Sequence, residues 1–215
     1  MPAESLNLFE PPARQALAPG AMLLRGFAVA DAPQLLAALQ QVLQAAPLRQ
    51  MLTPGGQRMS VAMSNCGPLG WISDARGYRY AAQDPLTGFA WPPMPAEFLD
   101  LAQRAAAEAG YPGFEPDACL MNCYHPGTRL SLHQDRDECD KSHPIVSVSL
   151  GLPAVFQFGG AGRTDRPARV PLQHGDVVVW GGPSRLNYHG VLPLADGEHG
   201  LTGARRFNIT LRRAG

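Results

Sequence analysis

Lysine is all but missing from this chain. Lys141 is the single example among 215 residues, so arginine supplies the other seventeen of eighteen basic side chains. Arginine grips carboxylates and phosphates through a planar fork. Eighteen acids bring the net charge to zero. That excludes the basic balance of a tight non-specific nucleic-acid binder, but not a local arginine-lined groove. Cysteine is scarce: Cys66, Cys119, Cys123 and Cys139 are too few for a disulfide scaffold and suit a reducing compartment. No apolar run approaches the roughly 18 residues that span a bilayer. Met1 to Phe9 lacks a basic start followed by an apolar stretch, so a cytoplasmic location is expected. Charged residues make up only 17% against 45% apolar, which excludes disorder and leaves an ordinary globular chain. Its length suits one domain, 1–215.

The chain divides by pattern. Residues 1–20, rich in Pro and Ala, read as an irregular arm. Met22 to Val29 reads as a strand. Asp31 and Gln34 suggest a capping box before a helix carrying Leu35, Leu36, Leu39, Val42 and Leu43 on one side. Pro47 ends it. A second helix starts near Pro95, buries Phe98, Leu101, Ala102 and Ala105, and stops at Gly110 and Pro112. Residues 49–91 are rich in Gly, Pro, Met and aromatics. The segment is too long to be idle and too irregular to be core, so it reads as a lid. From 117 to 213 short alternating strands (Ile145–Leu150, Val155–Phe158, Val177–Trp180, Phe207–Leu211) are separated by turns. This predicts an α+β fold, mainly β: a sandwich or jelly roll preceded by two helices.

His133 and Asp135 are two residues apart, so an extended chain points both to one side. With His189 they make two imidazoles and a carboxylate, the set that holds iron(II) on one face and leaves the other open. Arg206, Asn208, Thr210 and Arg212 alternate with Phe207, Ile209 and Leu211. The apolar face must be buried. If the sheet closes into a jelly roll, the arginines point inside and need anions, because an unpaired buried charge is costly. Their alpha carbons would stand about 20 Å apart at roughly 3.3 Å per residue, so a small dianion between them would require the side chains to lean together. The alternative is a solvent-exposed face. Asn122 and Tyr124 share a strand face and can donate hydrogen bonds to a carboxylate. Cys119, Cys123 and His125 could be a zinc fragment, but no Cys-Xaa-Xaa-Cys accompanies them, and small residues on one strand face explain them too. Asp135-Arg136-Asp137-Glu138 reads by itself as a solvated charge run, and Trp71 as either a stacking platform or a buried anchor. His125, His143, His174 and His199 suit turns and surfaces.

Taken together these stretches resemble the AlkB family of iron(II)- and 2-oxoglutarate-dependent nucleic-acid dealkylases. The resemblance runs from about Arg49 to Arg213. It is carried by Met51–Gly56, Val61–Gly67, Leu130–Glu138, Val146–Gly151, His174–Gly182 and Arg206–Arg212. It implies a double-stranded β-helix with a nucleotide-recognition lid. It implies that His133, Asp135 and His189 bind iron(II) and form the catalytic centre. Arg206 and Arg212 would pair with 2-oxoglutarate, helped by Asn122, Tyr124 and Asn208. Trp71 would stack on an extruded base opposite His133, Tyr78 would touch the substrate backbone, and Asp137 would choose the base. Arg163 would contact substrate from a neighbouring loop, and Thr53 and Met63 would line the lid. The implied reaction uses oxygen to remove alkyl groups from bases such as 1-methyladenine and 3-methylcytosine, releasing aldehyde, succinate and CO2. The implied partner is damaged or single-stranded DNA, with RNA as the alternative; no membrane and a monomer are expected. Gln57 and Arg58 depart from the family, which would have a Tyr there. Rival readings are a 2-oxoglutarate hydroxylase of protein or a small molecule, a non-catalytic cupin-like metal-binding module, and a zinc hydrolase.

Overall fold

A computed structural model describes residues 12–215. The chain forms β1 (Arg14–Ala18), β2 (Ala21–Leu24), α1 (Ala32–Ala45), β3 (Ala62–Cys66), β4 (Gly70–Asp74), β5 (Gly77–Ala81), α2 (Ala96–Glu108) and β6 (Ala118–Tyr124). Then follow β7 (Leu130–His133), β8 (Ile145–Gly151), β9 (Ala154–Phe158), β10 (Ala168–Leu172), β11 (Val177–Trp180), β12 (His189–Val191) and β13 (Arg206–Arg212). Seven strands make one sheet in the order β1-β2-β11-β8-β13-β6-β3, four make a second in the order β10-β9-β12-β7, and β4-β5 is a separate hairpin. The mainly β architecture with two helices is a jelly roll, as expected.

The period-2 pattern of the large sheet decides what lies on each side. Val146, Val148, Leu150, Val177, Val179, Phe207, Ile209 and Leu211 pack against Leu35, Leu39, Phe98, Leu101 and Ala105 of the two helices. Burying such side chains stabilises by roughly 1.5–3 kcal/mol each. The alternate residues face the small sheet. There Leu23, Val178 and Trp180 join Phe156, Phe158 and Val191 in a second apolar core. Across β6, β8 and β13 this inner face turns polar, with Asn122, Ser147, Ser149, Arg206, Asn208, Thr210 and Arg212 all buried. The strand face holding both arginines is therefore inside the fold.

Several expectations change. The irregular arm is corrected over Arg14–Ala18, which pair with β2 as an edge strand; residues 1–11 lie outside the described residues. The strand expected over Met22–Val29 stops at Leu24. Asp31 precedes α1 but makes no capping hydrogen bond. Its carboxylate accepts instead from Arg104 of α2 at 2.9 Å, pinning the helices together. The 49–91 segment is not all lid: β3 pairs with β6 inside the large sheet. The jelly roll likewise reaches beyond 117–213, since β1, β2 and β3 complete its large sheet.

Candidate metal centre and its cavity

β7 and β12 pair so that His133 stands directly opposite His189. Gly190 makes this approach possible: a β-carbon there would sit 2.7 Å from the Leu130 carbonyl oxygen. His133 Nδ1 donates to the Ser131 carbonyl at 2.9 Å and His189 Nδ1 to the Asn187 carbonyl at 3.1 Å. Both Nε2 atoms are thereby left to accept a metal. Asp135 Oδ1 is 3.6 Å from His133 Nε2, and its Oδ2 is 3.7 Å from His189 Nε2. Ligands at right angles on a metal with bonds of roughly 2.0–2.2 Å stand about 3 Å apart, so small rotations close the set. Among the described residues it is the only group of three or more His, Cys, Asp or Glu that could hold a metal.

The protonation states suit ligation. Burial and the neighbouring His133 push His189 down to about 4, so it is neutral near pH 7. Burial opposes the charge on Asp135, but Arg212, His189 and His133 outweigh it and hold the carboxyl below its ordinary range. The Cys119/Cys123/His125 alternative gathers no metal set among the described residues. Cys119 instead stands opposite Cys66 across β6 and β3.

The triad opens into a cavity of about 500 Å³, within the usual span for small-molecule sites. His133, Asp135, Asp137, His189, Asn122, Tyr124, Arg206, Asn208, Arg212, Trp71, Tyr78, Arg163, Thr53 and Met63 all line it. Arg206 is 2% exposed. It donates from Nη2 to Ser149 Oγ at 3.0 Å and lies over the Tyr124 ring, 5.0 Å from its centroid. Its Nε and Nη1 are buried with no partner among the described residues. Such groups carry a large desolvation cost until an acceptor arrives, and a carboxylate satisfies both. Burial raises the Tyr124 hydroxyl's pKa, keeping it a donor. Asn208 is spent within the protein: its amide nitrogen donates to Ser147 Oγ and the Val148 carbonyl, and its oxygen accepts from Asn122 and Thr210. It orients Asn122 rather than presenting a free group.

Arg212 differs. Its Nε and Nη2 both donate to Asp135 Oδ2, at 3.0 and 2.6 Å. Each arginine has its own neighbours within the shared cavity. Glu138, read as part of a solvated run, is 3% exposed and sits beside Arg212. Tyr80, Arg185 and Trp180 were also missed. Trp180 meets the His189 ring edge-on, 5.0 Å between centroids, and Arg185 donates to the Asp135 carbonyl at 2.7 Å.

On the lid side, Asn65 fixes Trp71 by a two-way bridge. Its Oδ1 accepts from the Trp71 amide and its Nδ2 donates to the Trp71 carbonyl, both at 2.9 Å. The Trp71 indole donates to Asp137 Oδ2 at 2.8 Å. Tyr78, 46% exposed, stacks nearly parallel on Trp71. Arg163 lies over the Tyr188 ring at 6.0 Å. Thr53 closes a turn with Gln57, and Arg58 is exposed beside it.

The profile of the 2OG-Fe(II) oxygenase superfamily matches residues 20–212. The chain is 56% identical over 211 residues to the alpha-ketoglutarate-dependent dioxygenase AlkB of Salmonella typhimurium, covering 97% of this chain and 98% of that one. The chain belongs to the AlkB family. It is similar to the Escherichia coli protein of the same name, 58% identical over 204 residues (95% of this chain, 94% of that one). It is more distantly similar to the nucleic acid dioxygenase ALKBH1 of Mus musculus, 38% identical over 109 residues, 49% of this chain and 28% of that one. The solved structure of OsALKBH1 superposes with a TM-score of 0.83 at 28% identity, covering 93% of this chain and 99% of that one. This AlkB-family chain is an iron(II)- and 2-oxoglutarate-dependent dioxygenase that consumes O2, and its activity is oxidative dealkylation. The hydrolase and binding-module readings are set aside.

Proposed function

We propose that the enzyme removes N-alkyl groups from damaged nucleic-acid bases such as 1-methyladenine and 3-methylcytosine, in DNA and in the service of repair. The observation that carries this reading is one cavity shared by three things: the metal triad, the buried N–H groups of Arg206, and an aromatic wall made by Trp71 and Tyr78. A hydroxylase of another small substrate has no use for an aromatic wall braced by Asn65 and Asp137. The nucleic-acid activity in the name of the mouse relative supports it further.

In this reading His133, Asp135 and His189 hold iron(II). Iron(II) held there would supply the oxidising chemistry that turns the N-alkyl carbon into a carbinol, with 2-oxoglutarate giving up CO2 to become succinate. The carbinol on nitrogen then falls apart to aldehyde and free base. Arg206, with Tyr124, takes one cosubstrate carboxylate, and Arg212, with Asn122, takes the other. Trp71 and His133 flank the extruded base, an arrangement that can contribute roughly 1–3 kcal/mol per base by stacking. Methylation that blocks pairing lowers the cost of extrusion. Asp137 has one oxygen tied to the Trp71 indole. Its charge favours a cationic base over the neutral product, which aids release. Tyr78 and the cavity-lining Arg129, Arg136 and Arg163 face the substrate backbone. Exposed Arg58 adds a phosphate contact. In this reading the chain acts as a monomer in the cytoplasm, a reducing compartment that suits its four free cysteines.

The test is aerobic incubation with iron(II), ascorbate, 2-oxoglutarate and an oligonucleotide carrying 1-methyladenine or 3-methylcytosine. Formaldehyde and succinate in equal amounts are expected. Succinate without formaldehyde would point to a different substrate and sink the reading.

A further inference from the structure

Four charges are buried together behind the triad, and the reading above uses only Asp135 and Arg212. The other two are Glu138 and Arg185, whose side chains are almost wholly enclosed. Glu138 Oε1 lies 3.4 Å from Arg212 Nε, and its Oε2 lies 3.0 Å from Arg185 Nη2. Arg185 commits Nε to the His143 carbonyl at 3.0 Å and Nη1 to the Asp135 carbonyl at 2.7 Å. Two cations and two anions balance, which is the condition for burying them at all.

A fifth partner arrives from the lid. The Tyr80 hydroxyl donates to Glu138 Oε1 at 2.9 Å. Burial raises its pKa well above the ordinary value, so it remains a neutral donor. Tyr80 stands directly opposite Trp71 across the β4–β5 hairpin. One rung of the lid therefore grips two neighbouring acids of the metal loop, Trp71 to Asp137 and Tyr80 to Glu138. The first contact faces the base. The second faces the cosubstrate arginine.

Arg212 has a conflict to resolve. Both of its hydrogen bonds end on Asp135 Oδ2, an atom of a metal ligand. A metal held by that carboxylate would compete with Arg212 for its charge and would set a cation beside the guanidinium. Glu138 is then the carboxylate beside it that ligates nothing.

We propose that Tyr80 and Glu138 are positioning residues for Arg212, holding its guanidinium by Nε while Nη2 passes from Asp135 to a cosubstrate carboxylate, and that Tyr80 thereby couples the grip on 2-oxoglutarate to the seating of the lid hairpin. This rests on the assignment of Arg212 to the cosubstrate. Coupling of this kind is reciprocal: seating the hairpin tightens the cosubstrate, and the cosubstrate seats the hairpin.

The test uses the full chain loaded with Mn(II) under anaerobic conditions, with 2-oxoglutarate binding measured by calorimetry and amide hydrogen exchange followed over residues 77–81. Native protein should exchange more slowly there once 2-oxoglutarate is bound. Tyr80→Phe should bind 2-oxoglutarate about five-fold or more weakly, bind Mn(II) as before, and show no cosubstrate-dependent slowing. Glu138→Gln, which keeps an acceptor for Tyr80, should weaken 2-oxoglutarate while preserving the slowing. Unchanged cosubstrate affinity in Tyr80→Phe would overturn the inference, as would a loss matched by equal losses in Mn(II) affinity and melting temperature. Arg212→Met serves as the control on the underlying assignment: native affinity for 2-oxoglutarate in that variant overturns the assignment itself, separately from the relay.

Discussion

The two ends of β13 carry the same side chain on the same buried face and live under opposite conditions. At Arg212 the charge is answered by Asp135 and Glu138. At Arg206 one N–H reaches the Ser149 hydroxyl, the ring of Tyr124 lies beneath, and Nε and Nη1 have no hydrogen-bond partner among the described residues. Burial lowers the Arg206 pKa, whereas at Arg212 the carboxylates outweigh burial and raise it. One end is complete as a piece of folded protein. The other becomes complete only with a ligand.

The largest effect should come from breaking the complete end. Arg212→Met leaves Asp135 without its cation and Glu138 with Arg185 alone, and urea melts should report a loss of about 3–5 kcal/mol. A smaller change tests the other end. With Mn(II) present, 2-oxoglutarate at a hundred times its Kd should stabilise the native protein by about 2.7 kcal/mol. In Arg206→Met this gain should vanish, while the ligand-free variant melts at or above the native temperature, because an unanswered charge has been removed. If both arginine variants are destabilised alike, the contrast is wrong. Asp137→Ala should narrow the preference for cationic over neutral lesions by several fold in competition assays, a Coulombic effect at a partly exposed site; an unchanged ratio would remove Asp137 as the base reader.

The smallest effect concerns acid. The Gly151 amide donates to His174 Nδ1 at 3.0 Å, and Gly151 stands opposite Arg206 in the sheet. Burial, then His199, lowers the His174 pKa below its ordinary 6.5. The folded state prefers the neutral ring, so its contribution is whole above pH 6.5 and is lost as pH falls through the lowered value. Melting temperature should drop between pH 7.5 and 5, with buried His189 carrying the larger share, and should drop slightly less in His174→Gln, which keeps the acceptor without the titration.

Local pattern carried much of this molecule into view. The spacing of Leu35, Leu39 and Val42 announced α1, and the alternation in Arg206–Arg212 gave β13 its two faces. The His133/Asp135 spacing brought two candidate metal ligands together, because they are two apart on an extended chain. Whether the arginine face was inside or outside was not local information: it depended on how two sheets close. Glu138 shows the limit best. Its flanking residues are charged, as in any solvated loop, and its burial is set by Tyr80, 58 positions earlier, and by Arg185 from the segment before β12. Asp31 had the right residue type for a cap, but a guanidinium from the other helix outcompeted its own backbone.

Gly190 has a consequence for the working life of the enzyme. The two imidazoles are set opposite each other, 4.3 Å between ring centroids, by main-chain pairing of β7 with β12. Loading therefore requires little ordering of the chain, unlike small zinc domains that fold only around their metal. The placement of both imidazoles thus belongs to the strand pairing, and a metal that leaves would not take it away.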